Sequence, residues 1–252
     1  MNKYSRIFQI LFALPWIVFG IQHFMYAEFV ATLVPAFMPF KLFWAYFTGT
    51  AMIAAGISFI FNKLGALAAI LLAAMLIGFI LLIHVFAVSE SASEAKIWTR
   101  PIQDIALACG CFLLADSFSQ TETKPPVLAK IVKISRYIFA LMLIVLGLQQ
   151  FQDPDFVTAK IPLFMPWRSF WVYLTGIVLI AAGVSVVIHK KARLAVFALG
   201  IYLLVVNLLN YGYLLANDLH NPILWTGGML NLAITFGVFI LANSLPAGDF
   251  EK

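Results

Sequence analysis

Charge is what this chain has least of. Asp, Glu, Lys and Arg make up 11% of its 252 residues, against about a quarter in an ordinary soluble domain. So little polar surface cannot coat a water-soluble globule of this size without leaving large apolar patches. Cysteine occurs only twice, as Cys109 and Cys111, which gives neither a disulfide framework nor zinc-site spacing and leaves the redox compartment open. Also missing are a phosphate-cradling glycine loop, a Cys-x-x-Cys pair, a His-Glu-x-x-His motif and a serine in a nucleophile elbow. Their absence removes support for kinase or soluble-type hydrolase chemistry, and no metal site is expected. The first apolar stretch shows no small-residue cleavage site before Gln22-His23-Phe24 and reads as a retained helix.

What is present is apolar. Hydrophobic residues account for 63% of the chain and the mean hydropathy is +0.98. About 20 mostly apolar residues suffice to span a bilayer as a helix. Eight such windows fall between polar or proline-marked breaks: Ile7 to Phe24, Leu42 to Phe61, Leu64 to Val88, Ile102 to Phe118, Ile134 to Phe151, Phe170 to Ile188, Leu194 to Ala216 and Ile223 to Leu241. Asn62-Lys63 and His189-Lys190-Lys191 mark tight turns where the chain meets water.

The net charge of +5 does not imply nucleic acid, because the cations are scattered through short loops instead of forming one face. Topology accounts for them. Eleven of the sixteen Lys and Arg lie at the termini and even-numbered connections, including Lys63, Lys133, Arg136, Lys190 and Lys191. The odd-numbered connections carry only Lys41, Lys96, Arg100, Lys160 and Arg168. By the positive-inside rule both termini are expected in the cytoplasm.

An internal repeat organises the sequence. Gly20-Ile-Gln-His-Phe24 matches Gly147-Leu-Gln-Gln-Phe151 at an offset of 127, and the same offset carries Pro35-Ala-Phe-Met-Pro39 onto Pro162-Leu-Phe-Met-Pro166. Without a gap it then carries Phe43-Trp44 onto Phe170-Trp171, Thr48-Gly49 onto Thr175-Gly176, and Trp98-Thr99 onto Trp225-Thr226. Matched Pro, Gly and Trp are beyond the reach of hydrophobic bias, so the pattern is a duplication. The expected fold is all-α: eight transmembrane helices as two parallel-repeat four-helix bundles, residues 1–118 and 133–252, joined by a polar linker over 119–132. An even number of crossings per unit makes the repeats parallel, about an axis along the membrane normal.

Between the first two helices of each unit, Tyr26 to Val34 with Pro35 and Pro39 reads as a short interfacial helix and turn, with Phe43, Trp44 and Tyr46 as interfacial anchors. Ala45, Gly49 and Gly56, and Val172, Gly176 and Gly183, form a stripe for close helix packing. Cys109 and Cys111 point away from each other on a helix and read as packing thiols.

Polar residues inside the apolar windows are the functional candidates, since they are costly in lipid and face the bundle interior. In the first unit these are Gln22, His23, His84, Arg100 and Asp104; in the second they are Gln149, Gln150, Asn207, Asn210, Tyr211 and Asn231. At the repeat offset His23 becomes Gln150, His84 becomes Tyr211, Asp104 becomes Asn231 and Arg100 becomes Gly227. Titratable groups sit in the first copy and uncharged substitutes in the second, which suggests a protonatable site in the first unit. His23 and His84 are expected at similar depth. They would hydrogen-bond a quinone head group, relay a proton or, as the least favoured role, ligate a haem; the plain alternative is interfacial histidines satisfied by water or backbone. Asp104 has a local reading too, as a carboxylate in the first turns of a helix paired with Arg100.

Gly20-x-x-His23-Phe24, the following Glu28-Phe29, the Pro35-x-x-x-Pro39 step and Tyr46-x-Thr48-Gly49 together resemble the DoxX family of bacterial membrane proteins. The second copy resembles it as well, departing at Gln150. The resemblance implies four-helix membrane units and a link to quinone- or thiol-dependent redox systems of the bacterial cytoplasmic membrane. It places no catalytic residue on this sequence, and the family's acidic residue inside the second helix is replaced here by Met52-Ile53. The expected role is a membrane component or accessory of such a system, with the bilayer and a membrane or periplasmic redox protein as partners and a quinone as the cofactor in view. The alternatives are a carrier holding a small lipophilic molecule in the cleft between the bundles, and a scaffold subunit with no ligand.

Overall fold

A computed structural model of the chain describes residues 3–92, 94–118, 126–158 and 161–246. Eight of its helices are long and apolar enough to cross a membrane, as expected where lipid leaves backbone amides no partner but their own helix. The first unit comprises α1 (Lys3–Met25), α2 (Ala27–Leu33), α3 (Lys41–Phe61), α4 (Gly65–Phe79), α5 (Val85–Ser91) and α6 (Ala95–Phe118). The second comprises α7 (Pro126–Gln152), α8 (Pro154–Thr158), α9 (Arg168–Val187), α10 (Ala192–Asn217) and α11 (Pro222–Ser244). The short α2 is the helix expected after Tyr26. This is an all-α multi-pass membrane protein, with no strand among the described residues.

Three boundaries differ from the sequence reading, each for a local reason. Residues 126–132, assigned to the linker, are the first turns of α7; Pro126 opens the helix, where its missing N–H is no loss. The rest of that linker, 119–125, lies outside the described residues. α6 begins at Ala95 and carries Pro101 inside it, a break that spanning helices tolerate when neighbours pack around it. The third window is not one uniform helix: Ile80–His84 form a wide π turn in which the Val85 amide bonds the Ile80 carbonyl.

The duplication is repeated in geometry. Both tight reversals use left-handed residues at matching places, Asn62 and Leu64 at φ 54° and 57°, His189 and Lys191 at 55° and 49°. None is glycine, and each such residue costs about 1–2 kcal/mol, so the tight reversal is imposed by the helices it joins. The indole of Trp44 donates to the Pro39 carbonyl at 3.0 Å, and that of Trp171 to Pro166 at 3.0 Å. Trp98 donates to Ala92 at 2.9 Å and Trp225 to Leu219 at 2.8 Å. Every one of these partners is related by the same 127 residues.

The two units interlock. α1 packs on α3 and α7 on α9, while the fourth spanning helix of each unit reaches across: α6 packs on α7, and α11 on α1. α6 and α11 also cross each other and are the most buried spans. Their crossing is at Gly110 and Gly237, flanked by Phe139 and Phe12, two further pairs at the repeat offset. Around it Leu113, Leu114, Val238 and Leu241 are almost fully buried. The midline between the units is therefore packed with apolar side chains, and Leu71, Leu81, Ile177 and Leu208 stand exposed on the outside, where acyl chains would cover them.

Candidate functional site

The π turn delivers the most distinctive polar contact in the molecule. Five residues in one widened turn displace the end of the helix from regular α register, and His84 closes the turn. Its Nε2 lies 2.8 Å from Asp104 Oδ2. Asp104, on α6, is 2% exposed at its side chain, and His84 is 17% exposed. Arg100, one turn earlier on α6, places Nε 4.0 Å from Asp104 Oδ1 and is partly exposed. Asp104 Oδ1 itself is buried and accepts no hydrogen bond among the described residues. Since carboxylate oxygens accept, a neutral His84 donates from Nε2, and its Nδ1 is the nitrogen left for another partner.

The second unit holds the uncharged form of the same arrangement. Asn231 Nδ2 lies 3.4 Å from the Tyr211 hydroxyl and donates to the Gly227 carbonyl at 2.9 Å. The Tyr211 ring fills the space over Gly227, where a β-carbon would lie 2.8 Å from the phenol oxygen, so the arginine of the first unit has no room here. α10 runs through this region as a regular helix. Asn207 donates to the Gly228 carbonyl at 3.2 Å, while Asn210 Oδ1 is buried without a hydrogen bond among the described residues.

The remaining candidates do not join the trio. His23 Nδ1 donates to the Phe19 carbonyl one turn back at 2.8 Å, and its β-carbon rests against Gly49. Gln150 repeats this bond more loosely, to Leu146 at 3.5 Å. Among the described residues no hydrogen bond or ring contact links His23 with His84; each ring has its own partner, Phe19 and Asp104. Gln22 spans the units: it donates to the Pro222 carbonyl at 3.4 Å and accepts from Thr226 at 3.3 Å. Gln149 occupies the matching place on α7. Cys109 and Cys111 are buried and unpaired. Among the described residues no cluster of His, Cys, Asp or Glu is arranged to hold a metal ion.

Sequence reasoning passed over a second polar cluster, at the opposite end of the helices. Gln9 is 1% exposed, accepts from Arg6 at 3.1 Å and donates to Ser117 at 2.9 Å. Arg6 also donates to the Phe59 carbonyl at 2.8 Å and to that of Ile60. The signal was available: at the repeat offset Gln9 becomes Arg136, a neutral-to-charged change inside a spanning helix.

Among known proteins, a family model described as a domain of unknown function, DUF8561, matches residues 12–119, which is the first unit. No curated protein matches the chain. No solved structure matches it either.

Proposed function

We propose that the chain is a DoxX-like membrane accessory of a quinone-linked redox system, in which His84, Asp104 and Arg100 hold a quinone head group. The observation carrying this reading is the buried Asp104 carboxylate against His84 Nε2 at 2.8 Å, built on a π turn and absent in charged form from the second unit. An imidazole held this way by a carboxylate presents Nδ1 to a ligand. Neutral, that nitrogen accepts from the hydroxyl of a quinol; protonated, it donates to the carbonyl of a quinone. Both oxidation states of one head group are accommodated by moving one proton on the ring.

Access suits a lipophilic ligand. α4 is the least buried of the spans, and Leu81, Leu82 and Val85 around the π turn are exposed, so a ligand dissolved in the bilayer reaches His84 sideways. The chain's own cysteines are buried, which favours the quinone branch of the expected chemistry over the thiol branch. Electrons would be exchanged with a separate membrane or periplasmic redox protein. In the bacterial cytoplasmic membrane, with both termini cytoplasmic, the trio lies toward the non-cytoplasmic side.

Organic extraction of the detergent-purified protein, followed by mass spectrometry, tests the reading. Isoprenoid quinone is expected with the native chain and missing from D104N and from H84Y/R100G/D104N, which copies the second unit. A native extract without quinone, together with no binding of added decylubiquinone, overturns it.

A further inference from the structure

At the end of the molecule opposite His84, a cavity of about 310 Å³ opens between α6, α7 and α9. Lys133, Arg136, Tyr137 and His189 line it, with Asp116 on the α6 wall and Leu245 beneath. Tyr137 OH and His189 Nε2 share a hydrogen bond at 3.2 Å. Arg136 is partly buried, and its Nε is buried with no hydrogen-bond partner among the described residues, so an acceptor in the cavity would satisfy that donor.

The matching corner of the first unit is built differently. There Arg6 stands for Lys133, Gln9 for Arg136, Ile10 for Tyr137 and Asn62 for His189. Arg6 is spent on the carbonyls of Phe59 and Ile60 and on Gln9, and Gln9 on Ser117. The hollow near Asn62 and Phe118 is lined by no cation. One fold thus closes this corner with an internal network in the first copy and leaves it open and cationic in the second.

We propose that the second-unit cavity is a binding site for a phosphate-bearing anion, gripped by Lys133 and Arg136 with Tyr137 and His189 as hydrogen-bonding partners. Charge-assisted bonds from a guanidinium and an ammonium suit phosphate oxygens. The cavity is lined by residues in the first turns of the spanning helix α7, and basic pockets between spanning helices take anionic lipid head groups. An anionic phospholipid and free phosphate share this chemistry, and the test separates them.

Purified protein in detergent is titrated with phosphatidylglycerol, with phosphatidylcholine and with inorganic phosphate, binding being read by native mass spectrometry and by the shift in thermal midpoint. Phosphatidylglycerol binding over phosphatidylcholine identifies a lipid site; inorganic phosphate binding alone identifies a free-anion site. In either case K133Q/R136Q weakens binding about tenfold or more, R136K restores part of it, and K63Q, which removes an exposed charge from the equivalent end of the first unit, leaves it unchanged. Should the double variant not purify folded, K133Q alone, at an exposed position, carries a several-fold loss. The proposal is overturned if native protein binds neither phosphatidylglycerol nor inorganic phosphate, if K133Q/R136Q binds as tightly as native protein, or if K63Q weakens binding as much as K133Q/R136Q.

Discussion

Gly20 and Gly49 meet where α1 crosses α3, so closely that a β-carbon added to Gly20 would stand 2.6 Å from the Gly49 carbonyl oxygen. Gly147 and Gly176 repeat the contact at 2.7 Å. The Ile53 and Ile180 side chains stand equally near, but even if they moved aside the backbone carbonyl would remain in the way. G20A and G147A should each therefore lower stability by about 1–3 kcal/mol, the range for overpacking a tight contact. Gly78 and Gly212 have nothing near the place of a β-carbon, so G78A and G212A should be neutral or mildly stabilising. Denaturant unfolding of all four in one detergent makes the comparison; equal effects at the two kinds of position would remove the close-packing account.

These contacts also show how far the sequence could be read. The spans were legible because lipid permits few alternatives to a helix, and the repeat because Gly, Pro and Trp recur at one offset. His84, Arg100 and Asp104 were legible as polar residues in apolar surroundings. Their assembly was not: Ile80-Leu-Leu-Ile-His84 is an apolar run with no mark of a π turn, and that turn decides where the imidazole lands. His23 makes a bond the sequence does not announce either, to the Phe19 carbonyl of its own helix, which occupies one ring nitrogen locally. Lys133 and Arg136 read as topology charges in the sequence, and only the three-dimensional comparison with Arg6 and Gln9 separates a cation bonded to carbonyls from one whose Nε has no acceptor among the described residues.

The His84–Asp104 contact predicts non-additive energetics. H84A leaves a nearly fully buried carboxylate without its donor and should destabilise by about 1–3 kcal/mol. H84Y/R100G/D104N converts the trio to the neutral pair found in the second unit and should lose less stability than H84A alone, while losing the ligand. Thermal unfolding of the single, double and triple variants measures the coupling. Additive losses would mean that the two side chains act independently.

Cys109 and Cys111 are 6% and 0% exposed on the most buried span. Maleimide should leave both unmodified in the folded protein and label both after denaturation. A mass shift corresponding to labelling of either thiol under native conditions would contradict the packing of α6 between the units. C109S/C111A should fold and retain whatever ligand the native chain carries, because among the described residues neither sulfur bonds to the His84 trio.

Buried native thiols allow single cysteines to be placed elsewhere without background, and this gives a direct test of the parallel repeat. Lys63 and Lys190 occupy equivalent positions in the two tight reversals, and Ala36 and Leu163 equivalent positions in the two interfacial segments; all four are exposed. Four crossings per unit place equivalent residues of the two copies on one side of the membrane. An impermeant maleimide applied to sealed inside-out vesicles should therefore label K63C and K190C alike, on the cation-rich side, and spare A36C and L163C, with the pattern reversed in right-side-out vesicles. If K63C and K190C labelled from opposite sides, one unit would have an odd number of crossings. The equivalence of the Arg6 and Lys133 corners, and of the His84 and Tyr211 ends, would then be lost with it.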